Sequence, residues 1–410
     1  MLRDILNDGF YALFNKICYF GAKTLAIVLI TQKLGLQHGG SFIFLIGVVE
    51  ILRVVSDFGI DIYVIRKYSE INYKIKLLRI VFYQKLISGC LLSLLLILYC
   101  FIFNYKSSVY IPVAMSLVFS LLFNLANSYY QSLNLNRKLS PAILIALIIT
   151  SMMFLLTYVN DVAFEASYYL LVEFFFVSSV FLILIKKVGL KLLISIKGFS
   201  LKNIPDLYSK TASIGVNAII VIVYSRLDNI YLKNFDPNSL ASYGQVFRLI
   251  DPLVMVSSVF STVAYAKFSK LNLREKGGIK KTIPFLVLIL FYVLLSSFVY
   301  YMLILCFGGI IILHTTYLDS MIAGFLCIAG IKCMNGALTA ILQSQGLYRI
   351  SLYIAVLCIT IAVPLMYVLI NIYDAIGAIY SIVIVELVSF ILLTFSVFLT
   401  LNKVKINLKR

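Results

Sequence analysis

The sequence predicts an all-α integral membrane protein, with about twelve transmembrane helices in two six-helix lobes around a central cavity. Three observations predict this class. Of 410 residues, 62% are hydrophobic and only 13% charged, where soluble domains are roughly half apolar and a quarter charged. The apolar residues fall in long blocks of about 20, the length a helix needs to cross the hydrocarbon core. No segment sustains the period-2 alternation of a membrane β-barrel.

The elements follow in order, with spans expected at about 9–32, 41–63, 81–103, 109–133, 141–159, 165–185, 208–232, 240–265, 283–305, 317–342, 349–370 and 375–400. The first follows MLRDILNDGF without a small-residue cleavage site, so it reads as a retained helix and not a signal peptide. Lys16 and Lys23 share one face of it. The second carries Glu50, Arg53, Asp57 and Asp61 at spacings of 3, 4 and 4, an acid-base stripe on a single helix face. The sixth holds a lone Glu173. The seventh contains Arg226 and Asp228. The eighth contains Gln245, Arg248 and Asp251, with Pro252 expected to bend it. Lys332 lies near the centre of the tenth and Glu386 within the twelfth.

Orientation follows from the basic residues, because short cytoplasmic loops are enriched in Lys and Arg. Arg66, Lys67, Lys74, Lys76, Arg79, Arg137, Lys138, Lys186, Lys187, Lys191, Lys197, Lys202, Lys267, Lys270, Arg274, Lys276, Lys280, Lys281 and Arg349 all fall at alternate junctions. Opposite junctions hold Lys33, Lys106 and Lys233, together with Asp161, Asp236 and Asp374. This places both termini in the cytoplasm and the chain in a bacterial inner membrane. The formal charge of +18 is therefore a topology signal and not a nucleic-acid footprint. The long basic connection of residues 186–207 divides the chain into lobes 1–197 and 198–410.

No metal site is expected. Seven cysteines are scattered through apolar segments without a CxxC pair, and His38 and His314 lie in external loops. The absence of a GxxxxGK[ST] segment excludes a nucleotide-driven pump of that type. What needs explanation is the intramembrane charge, since each mid-bilayer charge costs at least about 2.5–3.5 kcal/mol. Cations from both halves (Lys23, Arg53, Arg226, Arg248 and Lys332) suit a cavity that holds an anion, phosphate or pyrophosphate above all. Glu50, Asp57, Asp228 and Asp251 are candidates for ion coupling or charge pairing, and Glu173 and Glu386 could pair with these cations.

Three segments carry a family resemblance. Residues 52–66, LRVVSDFGIDIYVIR, resemble the second-helix segment of polysaccharide-unit flippases of the multidrug/oligosaccharidyl-lipid/polysaccharide exporter superfamily. Residues 226–252, RLDNIYLKNFDPNSLASYGQVFRLIDP, are similar to the seventh and eighth helices of that family, and residues 338–349, LTAILQSQGLYR, to the end of its tenth. The resemblance implies a non-enzymatic O-antigen-type flippase. Such a protein moves undecaprenyl-pyrophosphate-linked oligosaccharide to the periplasmic leaflet by alternating access, without cofactors and driven by a proton or sodium gradient. Other polysaccharide-assembly proteins are its expected partners besides membrane lipids. The alternatives are a multidrug exporter of the same superfamily and a membrane glycan polymerase or ligase. A net cationic lumen argues against the former, and the short external connections against the latter.

Overall fold

A computed structural model describes residues 2–68, 74–133, 135–160, 165–189, 203–235, 237–268, 273, 278–311 and 318–402. Among them every regular element is a helix: α1 Leu2–Asp57, α2 Ile60–Tyr68, α3 Lys74–Ile102, α4 Ser107–Ser132, α5 Asn136–Val159, α6 Ala166–Val188, α7 Asn203–Tyr224, α8 Leu227–Phe235, α9 Pro237–Phe268, α10 Gly278–Ile311, α11 Leu318–Ser344 and α12 Tyr348–Asn402. The expectations placed on Lys191, Lys197, Asp161, Asp236, His314 and the lobe boundary at residue 197 lie outside the described residues.

Two of these helices are each two spans joined at a corner. In α1 the corner is Gly35, whose φ of 70° is open to glycine because it has no Cβ. In α12 it is Asp374, at φ 50° and ψ −133°. Ten described stretches are long and apolar enough to cross a membrane, and the stretch Tyr348–Leu401, at 54 residues, is long enough for two. α9, with 32 residues, is a further one by length although Gln245, Arg248 and Asp251 lie within it. The chain is thus a multi-pass membrane protein. α9 runs as a single helix through Pro252. The second span ends earlier than expected, because the helix breaks at Phe58 and Gly59 and restarts as α2. The seventh span breaks in the same way at Ser225–Arg226, separating α7 from α8.

The chain divides into two compact units, Met1–Ile222 and Val223–Arg410. In the first, α4 is central, packed against α1, α3 and α6. Its interior includes Tyr19 stacked on Phe123 with centroids 4.0 Å apart, and Phe176 edge-on to Tyr19. In the second unit, α11 packs against α9, α10 and α12, and Leu338, Ile341 and Leu342 are buried with Phe268, Leu393 and Val397. Leu91, Leu94 and Leu98 of α3, Ile145, Met152 and Leu156 of α5, and Val287, Phe291 and Leu294 of α10 point outward. Their spacing of three, four and seven residues gives each helix an apolar outer face, as a bilayer requires of a lipid-facing surface.

Candidate functional site

The intramembrane charges gather into clusters inside each unit. In the first unit, Tyr19 and Lys23 stand four residues apart on α1, and Tyr169 and Glu173 four apart on α6, so two matched helix faces meet. Lys23 is ion-paired with Glu173, and its ammonium lies 5.1 Å from the Tyr19 ring centroid and 5.2 Å from that of Tyr169. The Tyr19 hydroxyl donates to Glu173 Oε2 at 2.6 Å. Glu173 is fully buried and Lys23 is 8% exposed. Arg53 sits beside this cluster, within electrostatic reach of Glu50, Tyr19, Tyr169 and Glu173. The stripe on the second span is therefore divided. Glu50 and Arg53 belong to this cluster, whereas Asp57 and Asp61 are held from another helix: the buried Lys85 of α3 donates to Asp57 Oδ1 at 2.7 Å and to Asp61 Oδ1 at 2.8 Å. An intrahelical stripe does not describe them.

In the second unit, Asp228 lies in the first turn of α8. Its Oδ1 accepts the Asn229 backbone N–H at 2.7 Å, and its Oδ2 accepts the Tyr243 hydroxyl at 2.6 Å. A carboxylate suits this place because a helix start leaves N–H groups unsatisfied. Arg226 and Arg248 share one ring: their guanidinium carbons lie 4.4 Å and 5.6 Å from the Phe247 centroid. Arg226 and Lys332 act electrostatically on Asp228. Arg248 also faces Asp251 one turn on, at 3.9 Å. Lys332 faces Glu386 at 3.9 Å, and the Asn335 amide donates to Glu386 Oε2 at 2.7 Å and to its backbone carbonyl at 3.1 Å.

The structure brings Lys23, Arg53 and Glu50 together in one unit, and Arg226, Asp228, Arg248, Asp251 and Lys332 in the other. Asp57 stands apart with Lys85. Sequence reasoning passed over Lys85, Tyr19, Tyr169, Phe247 and Asn335. Lys85 alone carried a signal, a lysine inside the expected third span. In the second unit Arg226, Arg248 and Lys332 are matched by Asp228, Asp251 and Glu386; in the first, Lys23, Arg53 and Lys85 face Glu50, Asp57, Asp61 and Glu173. Within these clusters six cations thus face seven carboxylates. Lys332 and Arg53 are the more accessible cations, since Lys23, Arg226 and Arg248 are all under 9% exposed. Among the described residues, no group of three or more His, Cys, Asp and Glu is placed to hold a metal ion.

Comparison with known protein families finds no match, and none is found among curated proteins. Solved structures do match along almost the whole chain. An outward-facing multidrug resistance MATE family transporter of the MOP superfamily has TM-score 0.66 and 12% identity, covering 98% of this chain and 96% of its own. An inward-facing one has TM-score 0.65 and 11% identity, covering 95% and 98%. The MATE transporter ClbM in complex with Rb+ has TM-score 0.62 and 14% identity, covering 99% and 95%. The chain has the fold of these transporters.

Proposed function

We propose that this protein is an ion-gradient-driven transporter that carries an amphiphilic cargo across a bacterial inner membrane by alternating access. The observation that carries this reading is the full-length match of one fold to transporters solved facing inward and facing outward. The buried carboxylates Glu173, Asp228 and Glu386, each held by a cation or a polar donor, supply groups on which a proton or sodium ion can act. Both termini are placed in the cytoplasm by the basic junctions.

Two cargoes fit, each with its own support. The solved neighbours include multidrug resistance transporters, and the near balance of charge within the clusters weakens the objection that a net cationic lumen raised to cationic drugs. These favour a multidrug exporter. The second reading is the flipping of undecaprenyl-pyrophosphate-linked oligosaccharide. It is favoured by the three sequence segments and by Arg226 and Arg248, two guanidinium groups on one ring that match phosphate oxygens bidentately. On that reading Lys332 adds a cation to the second unit's set and Lys23 and Arg53 supply cations within the first, with Glu50, Asp57, Asp228 and Asp251 coupling or pairing.

Deletion of the gene tests both. Loss of surface polysaccharide, with lipid-linked units accumulating on the cytoplasmic face, selects flipping. Increased sensitivity to cationic dyes with surface glycan intact selects drug export. Neither phenotype, in a strain where the protein is expressed, would overturn transport of either cargo.

A further inference from the structure

The break between α1 and α2 is built as a seat for another helix. At Phe58 and Gly59 the backbone turns left-handed, with φ of 46° and 76°. Such a break leaves carbonyls of the preceding turn without their helical partners. The Ser56 carbonyl is taken by the Gln84 side-chain amide of α3 at 2.7 Å. The same amide reaches the Tyr208 hydroxyl of α7, also at 2.7 Å. The Tyr208 ring meets Phe58 edge-on, with centroids 5.4 Å apart. Backbones approach closely here as well. A Cβ on Gly215 of α7 would fall 2.6 Å from the Phe58 carbonyl oxygen, and one on Gly59 would fall 2.9 Å from Ile214 Cγ2. Glycines on both sides thus let α7 lie against the broken turn, the device by which membrane helices gain close packing.

The break is also clamped. Asp57 precedes it and Asp61 follows it, and the Lys85 ammonium bridges the two. The Asp61 backbone N–H also lies 3.4 Å from Asp57 Oδ2. Lys85 is fully buried while the two carboxylates are 17% and 20% exposed, so the cation is locked in and the carboxylates have an outer side. Tyr208 of α7 lies within electrostatic reach of both Asp57 and Lys85, and Ser128 of α4 is within hydrogen-bond reach of Asp61. α7 is the segment at whose C-terminal end the chain passes from the first unit to the second, at Ile222–Val223.

We propose that the α1–α2 break is a docking seat for the connecting helix α7, and that Lys85 clamps this seat by bridging Asp57 and Asp61. The clamp then fixes where the connector starts, and releasing it frees α7 as one step of the transport cycle. This deepens the alternating-access reading and rests on it for its role, but the docking itself is testable without any transport assay.

Spin labels at Val216 of α7 and Leu91 of α3, both on the exposed face of the first unit, report the docked distance by double electron–electron resonance in nanodiscs. A control pair at Leu91 and Leu155 reports the rest of the unit. A single narrow Val216–Leu91 distribution is expected in the parent protein. Gly215→Leu, which drives a side chain into the Phe58 carbonyl, should broaden or shift it while the control pair is unchanged. The Asp57→Asn/Lys85→Met variant, which removes the bridge while leaving the cluster's net charge unchanged at the single carboxylate of Asp61, should do the same. An unchanged Val216–Leu91 distribution in both variants would overturn the proposal. Because neither pair senses cargo, a failure of the deletion phenotypes would count against the transport reading and leave the docking result standing.

Discussion

Replacing Lys23 with Met removes the paired cation from a fully buried Glu173 and leaves it the Tyr19 hydroxyl and the more distant Arg53. Removing one partner of a buried pair costs about 3–5 kcal/mol, because the remaining charge is uncompensated. At about 1.4 kcal/mol per decade, that is roughly two to nearly four decades in the ratio of folded to unfolded protein. Glu173→Gln alone strands the ammonium between the two tyrosine rings, whose attraction for a desolvated cation of about 2 kcal/mol softens the loss. In the double variant Lys23→Met/Glu173→Gln no charge is stranded, and the Gln oxygen still accepts from Tyr19. Most of the stability should return, giving a coupling energy near the upper end of the 0.5–3 kcal/mol that contacting residues show, about 2–3 kcal/mol. Thermal unfolding in detergent, read by a maleimide dye as the buried Cys18, Cys100, Cys333 and Cys358 become reactive, gives the four corners of this cycle. A double variant as unstable as the sum of the singles would refute the pairing. One that is stable but transport-dead would show that these charges also act on cargo or coupling ion, a role distinct from holding the bundle together.

Asn335→Ala deletes the amide held 2.7 Å from Glu386 Oε2 and should lower stability by about 1.5–3 kcal/mol in the same assay, as loss of a hydrogen bond to a charged group does. Gly377→Ala should prevent accumulation of folded protein, because a Cβ there would overlap the Leu369 carbonyl. Gly35→Ala, at φ 70° and ψ −172° but with open space around it, should cost about 1–3 kcal/mol; comparable yields of the two on size-exclusion chromatography would contradict this. Reporter fusions fix the topology: alkaline phosphatase fused after Tyr105 should be active, and green fluorescent protein fused after Lys187 should be fluorescent. Inverted activities at both positions would reverse the orientation.

The spans were legible because the bilayer imposes its thickness on the sequence, and even the corner at Gly35 falls between two apolar blocks. The break at Phe58–Gly59 was not, since Asp-Phe-Gly-Ile-Asp carries no proline and its apolar pattern runs straight on to residue 63. What ends the helix there is tertiary: the Gln84 amide on a freed carbonyl and α7 against the turn. The charged residues were legible as costly, but their partners were not. Lys85 lies 28 residues from Asp57 and 24 from Asp61. Glu173 lies 154 from Tyr19. Helical periodicity speaks only to neighbours three and four apart, so it grouped Asp57 and Asp61 with Arg53 and gave no hint of α3.

The pairing changes how an ion gradient can drive such a molecule. One elementary charge crossing 100 mV supplies about 2.3 kcal/mol, less than the roughly 3–5 kcal/mol needed to strip a buried carboxylate of its cation. A gradient of this size cannot simply break Lys23–Glu173 or the Lys85 bridge; the incoming ion or cargo has to replace the departing partner as it leaves. Replacement costs least where the pair is loosest and an ion can enter. Arg248–Asp251 and Lys332–Glu386 both stand 3.9 Å apart with one partner 18% exposed, and in the second Asn335 also holds the glutamate in place when the lysine moves. That ranks Glu386 ahead of Glu173 as the coupling acid. Glu386→Gln should therefore abolish gradient-driven uptake in proteoliposomes while cargo still binds, and uptake that persists in this variant would move the coupling to another carboxylate.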